Sequence, residues 1–173
     1  NFYNEHLKYF SSSKKMVEIP GGTYTAFIGK DSGRVVKVPT FYLDEAPVTN
    51  AEFLQFLKKN PQWTKSKIIR LYADTTYLHH WKSDFQFPEN LSPDAPVTNV
   101  SWYAAKAYAE SVGKRLPTID EWEFVALADH KSKNASKDPK FTEFILNAYQ
   151  RKDKHKQRIK QDSANYYGVY NMY

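Results

Sequence analysis

Cysteine is missing from all 173 residues. Disulfides and thiolate metal sites are therefore excluded within this stretch, and its fold must come from packing and hydrogen bonding. Long apolar runs are missing too: none approaches the roughly 18 consecutive apolar residues of a membrane-spanning helix. No glycine-rich phosphate loop is present, and no nucleophile–base–orienter triad can be assembled. No secretory leader opens the chain and its first residue is Asn, so the expectation is a processed or trimmed product.

What the chain has is aromatic carbon. Rings make up 16% of residues, with 13 Tyr and 11 Phe. A core of large rings against small alanines is expected, with tyrosine hydroxyls reaching polar partners at its edge. The length suits one domain that buries a core without disulfides or a structural metal.

The net charge of +6 is concentrated in one place. Residues 150–160, QRKDKHKQRIK, hold six of the 25 basic residues and one of the 19 acidic ones, leaving 19 against 18 elsewhere. A solvated loop is the plain reading of such an insertion and a phosphate site the alternative. Lys152, Lys154, Lys156, Arg158 and Lys160 recur at spacing two, which suits an extended chain that docks on an acidic protein surface. No helix-turn-helix or aromatic-interleaved basic motif points to nucleic acid. If the loop is only solvated surface, a binding site is to be sought in the aromatic stretch 63–87.

Residues 1–15 read as an aromatic-polar lead-in and linker, and residues 16–173 as the domain. Short strands are expected at 16–19, 23–28, 34–38 and 41–43, separated by Pro20-Gly21-Gly22, Gly33 and Pro39. Thr49 and Glu52 have capping-box spacing, and Phe53, Phe56 and Leu57 then share a helical face until Asn60-Pro61. Residues 62–94 read as a long ordered loop. Ser101 caps the next helix, whose apolar stripe is expected to be Trp102, Ala105, Ala109 and Val112, with Gly113 as its left-handed stop. Thr118 and Glu121 repeat the capping box ahead of Trp122, Val125 and Ala126, and Asp138-Pro139 opens a last helix over 141–149.

Four stretches, in order, carry a resemblance: MVEIPGGTY at 16–24; FYLDE at 41–45 with VTN at 48–50; PVTNVSWYAAKAYAESVGKRLPTIDEWEF at 96–124; and NYYGVYNM at 165–172. Together they resemble the formylglycine-generating enzyme, or sulfatase-modifying factor, family. The resemblance implies an α+β fold of the irregular C-type-lectin-like kind, with short strands, several helices and long ordered loops. It also implies a C-terminal part beyond Tyr173 that bears the two copper(I)-binding cysteines, so copper enters only if that part supplies them. A family calcium site is matched here by Asn171 alone, which makes calcium the cation to consider at that residue. YLHHW at 77–81 and FILNAY at 144–149 look more like the accessory proteins of this family, some found beside copper nitrite reductases and others in envelope machines.

Other candidates have plainer readings. His79-His80 is the only histidine pair, and adjacent residues rarely ligate one metal without a third partner. Glu121 is explained by its cap, and Glu123 reads as an ordinary helix residue or an ion-pair partner of Lys114 or Arg115. Arg115 reads as a structural residue ahead of an anion site, and Asp44 and Glu45 as turn formers. Asn90, Asn99 and Asn134 fit the glycosylation pattern, with Asn99 expected in a buried strand-like run.

Two functions remain open. In one, the chain is a non-catalytic accessory or protein-binding module of an envelope or maturation complex, in the periplasm or as part of a lipoprotein, with no catalytic residue of its own. In the other, it is the larger part of a copper-dependent formylglycine-generating oxidase acting on a protein cysteine.

Overall fold

The computed structural model describes residues 15–27, 33–150, 158–160 and 163–173. The architecture is α+β, with four α-helices and two short antiparallel strand pairs among the described residues. The chain forms two compact units. The first contains residues 48–116 with 158 and 159, and the second contains 15–27, 33–47, 117–150, 160 and 163–173.

In the first unit, α1 (Asn50–Lys59) begins at the expected cap. The Thr49 hydroxyl accepts the Glu52 N–H at 3.2 Å, and the Glu52 carboxylate accepts the Thr49 N–H at 2.8 Å. Two orphan amides of the first turn are satisfied reciprocally. Phe53, Phe56 and Leu57 form the buried face, each at most 1% exposed. Pro61 then opens a 3-10 turn, Pro61–Trp63.

The second helix, α2 (Trp102–Ser111), is capped by Ser101, whose hydroxyl accepts the Ala104 N–H at 3.1 Å. It ends in a Schellman motif: Gly113 has φ +72°, Lys114 N–H donates to Ala109 O at 2.8 Å, and Gly113 N–H donates to Glu110 O at 3.1 Å. The expected apolar stripe holds only at its C-terminal end, where Ala109 is buried and Val112 packs against the core. Ala104, Tyr108 and Ala109 are buried, whereas Trp102 is 61% exposed. The Tyr108 ring lies 5.6 Å from Phe56 and 6.0 Å from Phe53, so the ring cluster, not the alanine spacing, sets which face turns inward.

Residues 64–101 contain no helix and no strand beyond isolated bridges, which fits the ordered loop expected over 62–94 but not the strand-like run expected around Asn99. Leu78, Trp81 and Leu91 are nevertheless buried, and a buried loop needs a partner for each of its amides. Asn50 provides much of that. Its Nδ2 donates to Ser92 O at 3.1 Å and Ala95 O at 3.0 Å, while its own N–H donates to Ala95 O at 2.9 Å. Leu78 adopts φ +45° and donates its N–H to Asn99 O at 2.8 Å. Asn99, expected in a buried run, is exposed and itself left-handed at φ +56°.

The second unit pairs β1 (Met16–Ile19) with β4 (Phe41–Asp44), and β2 (Gly22–Thr25) with β3 (Val35–Val38). Alternation is clear in β3: Val36 and Val38 are buried while Val35 is 72% exposed. Helix α3 (Ile119–Ala126) starts with the second capping box, Thr118 N–H donating to Glu121 at 2.8 Å and Glu121 N–H to Thr118 at 3.1 Å. Its Phe124 and Val125 join Ile19, Tyr24, Val38 and Val169 in one core. Trp122 is only half-buried, so the phase of α3 favours Phe124. Helix α4 (Pro139–Gln150) follows Asp138, whose carboxylate accepts the Lys140 N–H at 2.9 Å.

The Pro20-Gly21 turn allows a close backbone passage. A Cβ on Gly21 would lie 2.7 Å from Val38 O and 2.8 Å from Thr40 N, atoms that cannot swing away. Gly21→Ala is therefore expected to cost about 1–3 kcal/mol in urea unfolding, and unchanged stability would refute the close approach. Asn50→Ala removes the side-chain hydrogen bonds to the Ser92 and Ala95 carbonyls and is expected to cost a similar amount, about 1–3 kcal/mol. A loss no larger than about 0.5 kcal/mol, as for a surface change, would mean the 92–95 segment is held by other contacts.

Candidate functional site

In the second unit, the turn between β1 and β2 opens onto a cleft of about 150 Å³. Pro20, Gly22 and Tyr24 line one side, Phe124 and Leu127 the floor, and Lys133, Asn134 and Tyr167 the rim. Gly22 is needed here, because a Cβ would sit 2.9 Å from the Phe124 ring. The rings meet edge-on or tilted, Tyr24 to Phe124 at 6.0 Å and Phe124 to Tyr167 at 5.6 Å.

A polar cluster adjoins the cleft. The Tyr24 hydroxyl donates to Asp120 at 3.1 Å, and Glu123, 1% exposed, accepts the Phe27 N–H at 3.3 Å. Burial raises the Tyr24 phenol well above its ordinary range, and the hydrogen bonds to Glu123 and Asp120 raise it further. Tyr24 therefore stays a protonated donor at every physiological pH. Arg34 adds an exposed ion pair to Asp120 at 3.4 Å. Glu123 is thus no ordinary solvated helix residue. Nothing in sequence spacing marks this cluster, since Tyr24 and Phe27 each lie 96 residues from their carboxylate partners.

Of the five basic residues expected to meet a partner, Lys152, Lys154 and Lys156 lie outside the described residues. Arg158 is exposed. Lys160 is engaged within its own unit: its ammonium pairs with Glu45 and lies 5.6 Å from the Tyr170 ring centroid. The Lys160 N–H donates to Asn171 Oδ1 at 3.0 Å. This bears on calcium, which wants six to eight oxygens in about a 2.3–2.6 Å shell. The Asn171 oxygen is spent on an amide, and the carboxylate of Glu45 is neutralised by an ammonium. These residues do not fit a calcium ion.

The remaining candidates do not converge. His79 and His80 rings stand 5.4 Å apart at 77°, and His79 Nδ1 bonds Thr76 O at 2.9 Å, so the pair does not chelate. Copper(I) is not matched either, since the sequence offers no thiolate and Met172 packs against the core. Among the described residues no three of His, Asp and Glu gather as metal ligands, and no helix is long and apolar enough to cross a membrane. Arg115 donates to the neighbouring Leu116 carbonyl at 3.1 Å. Asn90, Asn99 and Asn134 are all exposed.

Added calcium is expected to leave the thermal midpoint of this chain unchanged, whereas Lys160→Met should lower it by removing the cation on Glu45. A rise in midpoint with calcium would place an ion at Asn171 after all.

Comparison with known proteins agrees with the pattern of motifs. The sulfatase-modifying factor enzyme 1-like domain matches residues 5–173. The formylglycine-generating enzyme of Streptomyces coelicolor is 30% identical over 149 residues, covering 66% of this chain and 48% of that protein. Hercynine oxygenase of Mycolicibacterium thermoresistibile is 37% identical over 100 residues, 51% of this chain and 22% of that protein. The inactive C-alpha-formylglycine-generating enzyme 2 of Bos taurus is 28% identical over 144 residues, 64% of this chain and 48% of that protein. The chain spans less than half the length of these relatives. With four motifs in order and a match over nearly its whole length, this chain belongs to the sulfatase-modifying factor, or formylglycine-generating enzyme, family.

Proposed function

We propose that this stretch acts as a non-catalytic, protein-binding accessory module in an envelope or maturation complex. The observation that carries this reading is the amount of apolar surface left in water on the first unit. Leu71 is 77% exposed, Trp102 61%, Ile69 53% and Tyr103 45%. Tyr103 contacts both Trp102 and Tyr72, at 5.3 and 4.9 Å, and contiguous apolar surface marks interaction sites in soluble proteins. Arg158, with Lys152, Lys154 and Lys156, supplies positive charge for an acidic partner surface, and Lys160 anchors the end of that segment to Glu45. The family also includes relatives named as inactive, so the fold is retained without the reaction.

A second reading is favoured by the 30% identity to a formylglycine-generating enzyme. In it, these residues are the larger part of a copper-dependent oxidase whose thiolates come from outside this stretch.

The test is to place a photoreactive residue at position 71 or 102 of the full-length protein and irradiate living cells. The accessory reading expects a discrete heteromer of fixed stoichiometry. Monomer alone from both positions, together with oxygen-dependent conversion of a cysteine peptide by the copper-loaded full-length protein, would replace it with the oxidase.

A further inference from the structure

We propose that the exposed apolar face of the first unit is a docking surface for an extended acidic peptide segment of another protein, bound across a ladder of four rings. This deepens the protein-binding reading and rests on it. Trp63 lies 5.9 Å from Tyr72, Tyr72 lies 4.9 Å from Tyr103, and Tyr103 lies 5.3 Å from Trp102. Three separate pieces of chain supply the rings: the 3-10 turn, the turn closed by Tyr72 N–H on Ile69 O at 2.9 Å, and the first turn of α2. Trp63 is packed against the buried core, so the ladder is fixed at one end and open at the other.

Charge selects the occupant. Residues 53–73 contain five Lys or Arg and no Asp or Glu. Lys65 is spent on the Trp81 carbonyl at 2.8 Å, but Lys67 and Arg70 are exposed and meet no acidic side chain among the described residues. Lys67 and Arg70 outnumber the carboxylate bonded to this segment, Asp84, which accepts the Ser66 N–H at 2.9 Å, so the segment repels a basic chain and attracts an acidic one that also carries apolar side chains. Aromatic residues and arginine are the groups from which binding hot spots are most often built.

The geometry favours a peptide over single-stranded nucleic acid. Stacked bases need successive open ring faces. Here Tyr72 has Trp63 and Tyr103 as ring neighbours, and Lys106 Nζ lies 5.4 Å from the Trp102 centroid. The most exposed groups alongside are the aliphatic Leu71 and Ile69, which suit side chains rather than bases.

The experiment uses the whole chain and a labelled synthetic peptide that alternates glutamate with phenylalanine and leucine, read by fluorescence anisotropy. Binding is expected to weaken about ten-fold or more in Tyr103→Ser and in Trp102→Ala, as for hot-spot truncations. Lys67→Glu with Arg70→Glu should weaken it comparably, and added salt should weaken it in the parent chain. These residues are exposed, so unchanged circular dichroism is expected in each variant. Equal binding of polyglutamate without apolar residues, equal binding of the lysine-substituted peptide, or tighter binding of oligothymidylate would each overturn the assignment. Photocrosslinks at position 102 without peptide binding would sink only the acidic-peptide assignment. Peptide binding without any crosslinked heteromer would sink the accessory reading instead.

Discussion

Backbone hydrogen bonding is the constraint on which this structure depends. Its strands are four residues long, and the 38 positions from 64 to 101 form no helix or strand. Burying such segments leaves amides that regular structure would have paired, and each unpaired one costs about 1–3 kcal/mol. Asparagine side chains supply the missing partners in both units. Asn50 serves the segment around Ser92 and Ala95. Asn165 donates from Nδ2 to Val125 O at 3.0 Å and accepts Tyr167 and Val169 N–H groups at 3.0 and 3.1 Å through Oδ1. One side chain thereby does the work of a short strand at each place.

Aromatic packing follows from the same scarcity. Four-residue strands turn only about two side chains inward each, so a core must gain its burial from a few large groups. Phe53, Phe56 and Tyr108 meet at 5.3–6.0 Å in the first unit, and Tyr24, Phe124 and Tyr167 meet at 5.6–6.0 Å in the second. A ring of this size demands a gap on the backbone side, and Gly22 stands against the Phe124 ring. The cleft beside Gly22 is what remains when ring edges and backbone do not quite fill the space.

Local rules made much of this legible in advance. Both capping boxes, the Ser101 cap and the Gly113 stop are contained in sequence neighbours and lie where their residues indicate, and the four strands lie within a residue of expectation except that the one expected over 23–28 is Gly22–Thr25. Helix phase in α2 was not legible that way. A stripe through Trp102 and the alanines satisfies helical spacing, but Tyr108 has ring partners on α1 that spacing does not reveal. Lys160 escaped for a related reason. A charged residue reads as solvated until a distant partner is known, and Lys160 finds Glu45 across 115 positions. Sequence thus showed caps and turns well, cores by residue type, and polar clusters hardly at all.

The exposed rings pose the converse question, since apolar area left in water forgoes about 25 cal/mol per Å². A solitary exposed tryptophan gives up part of its recognition energy, because ordering its side chain on binding costs about 0.5–1.5 kcal/mol. A ring braced by a second ring has lost much of that freedom beforehand. Trp63 is held by the core, Tyr72 by Trp63, and Tyr103 by Tyr72, so order passes outward along the ladder to Trp102. The cost is borne once, in folding, by contacts that persist without a partner. A surface preorganised in this way can be selective with few contacts, and in the proposed complex the cations beside it would favour an acidic chain.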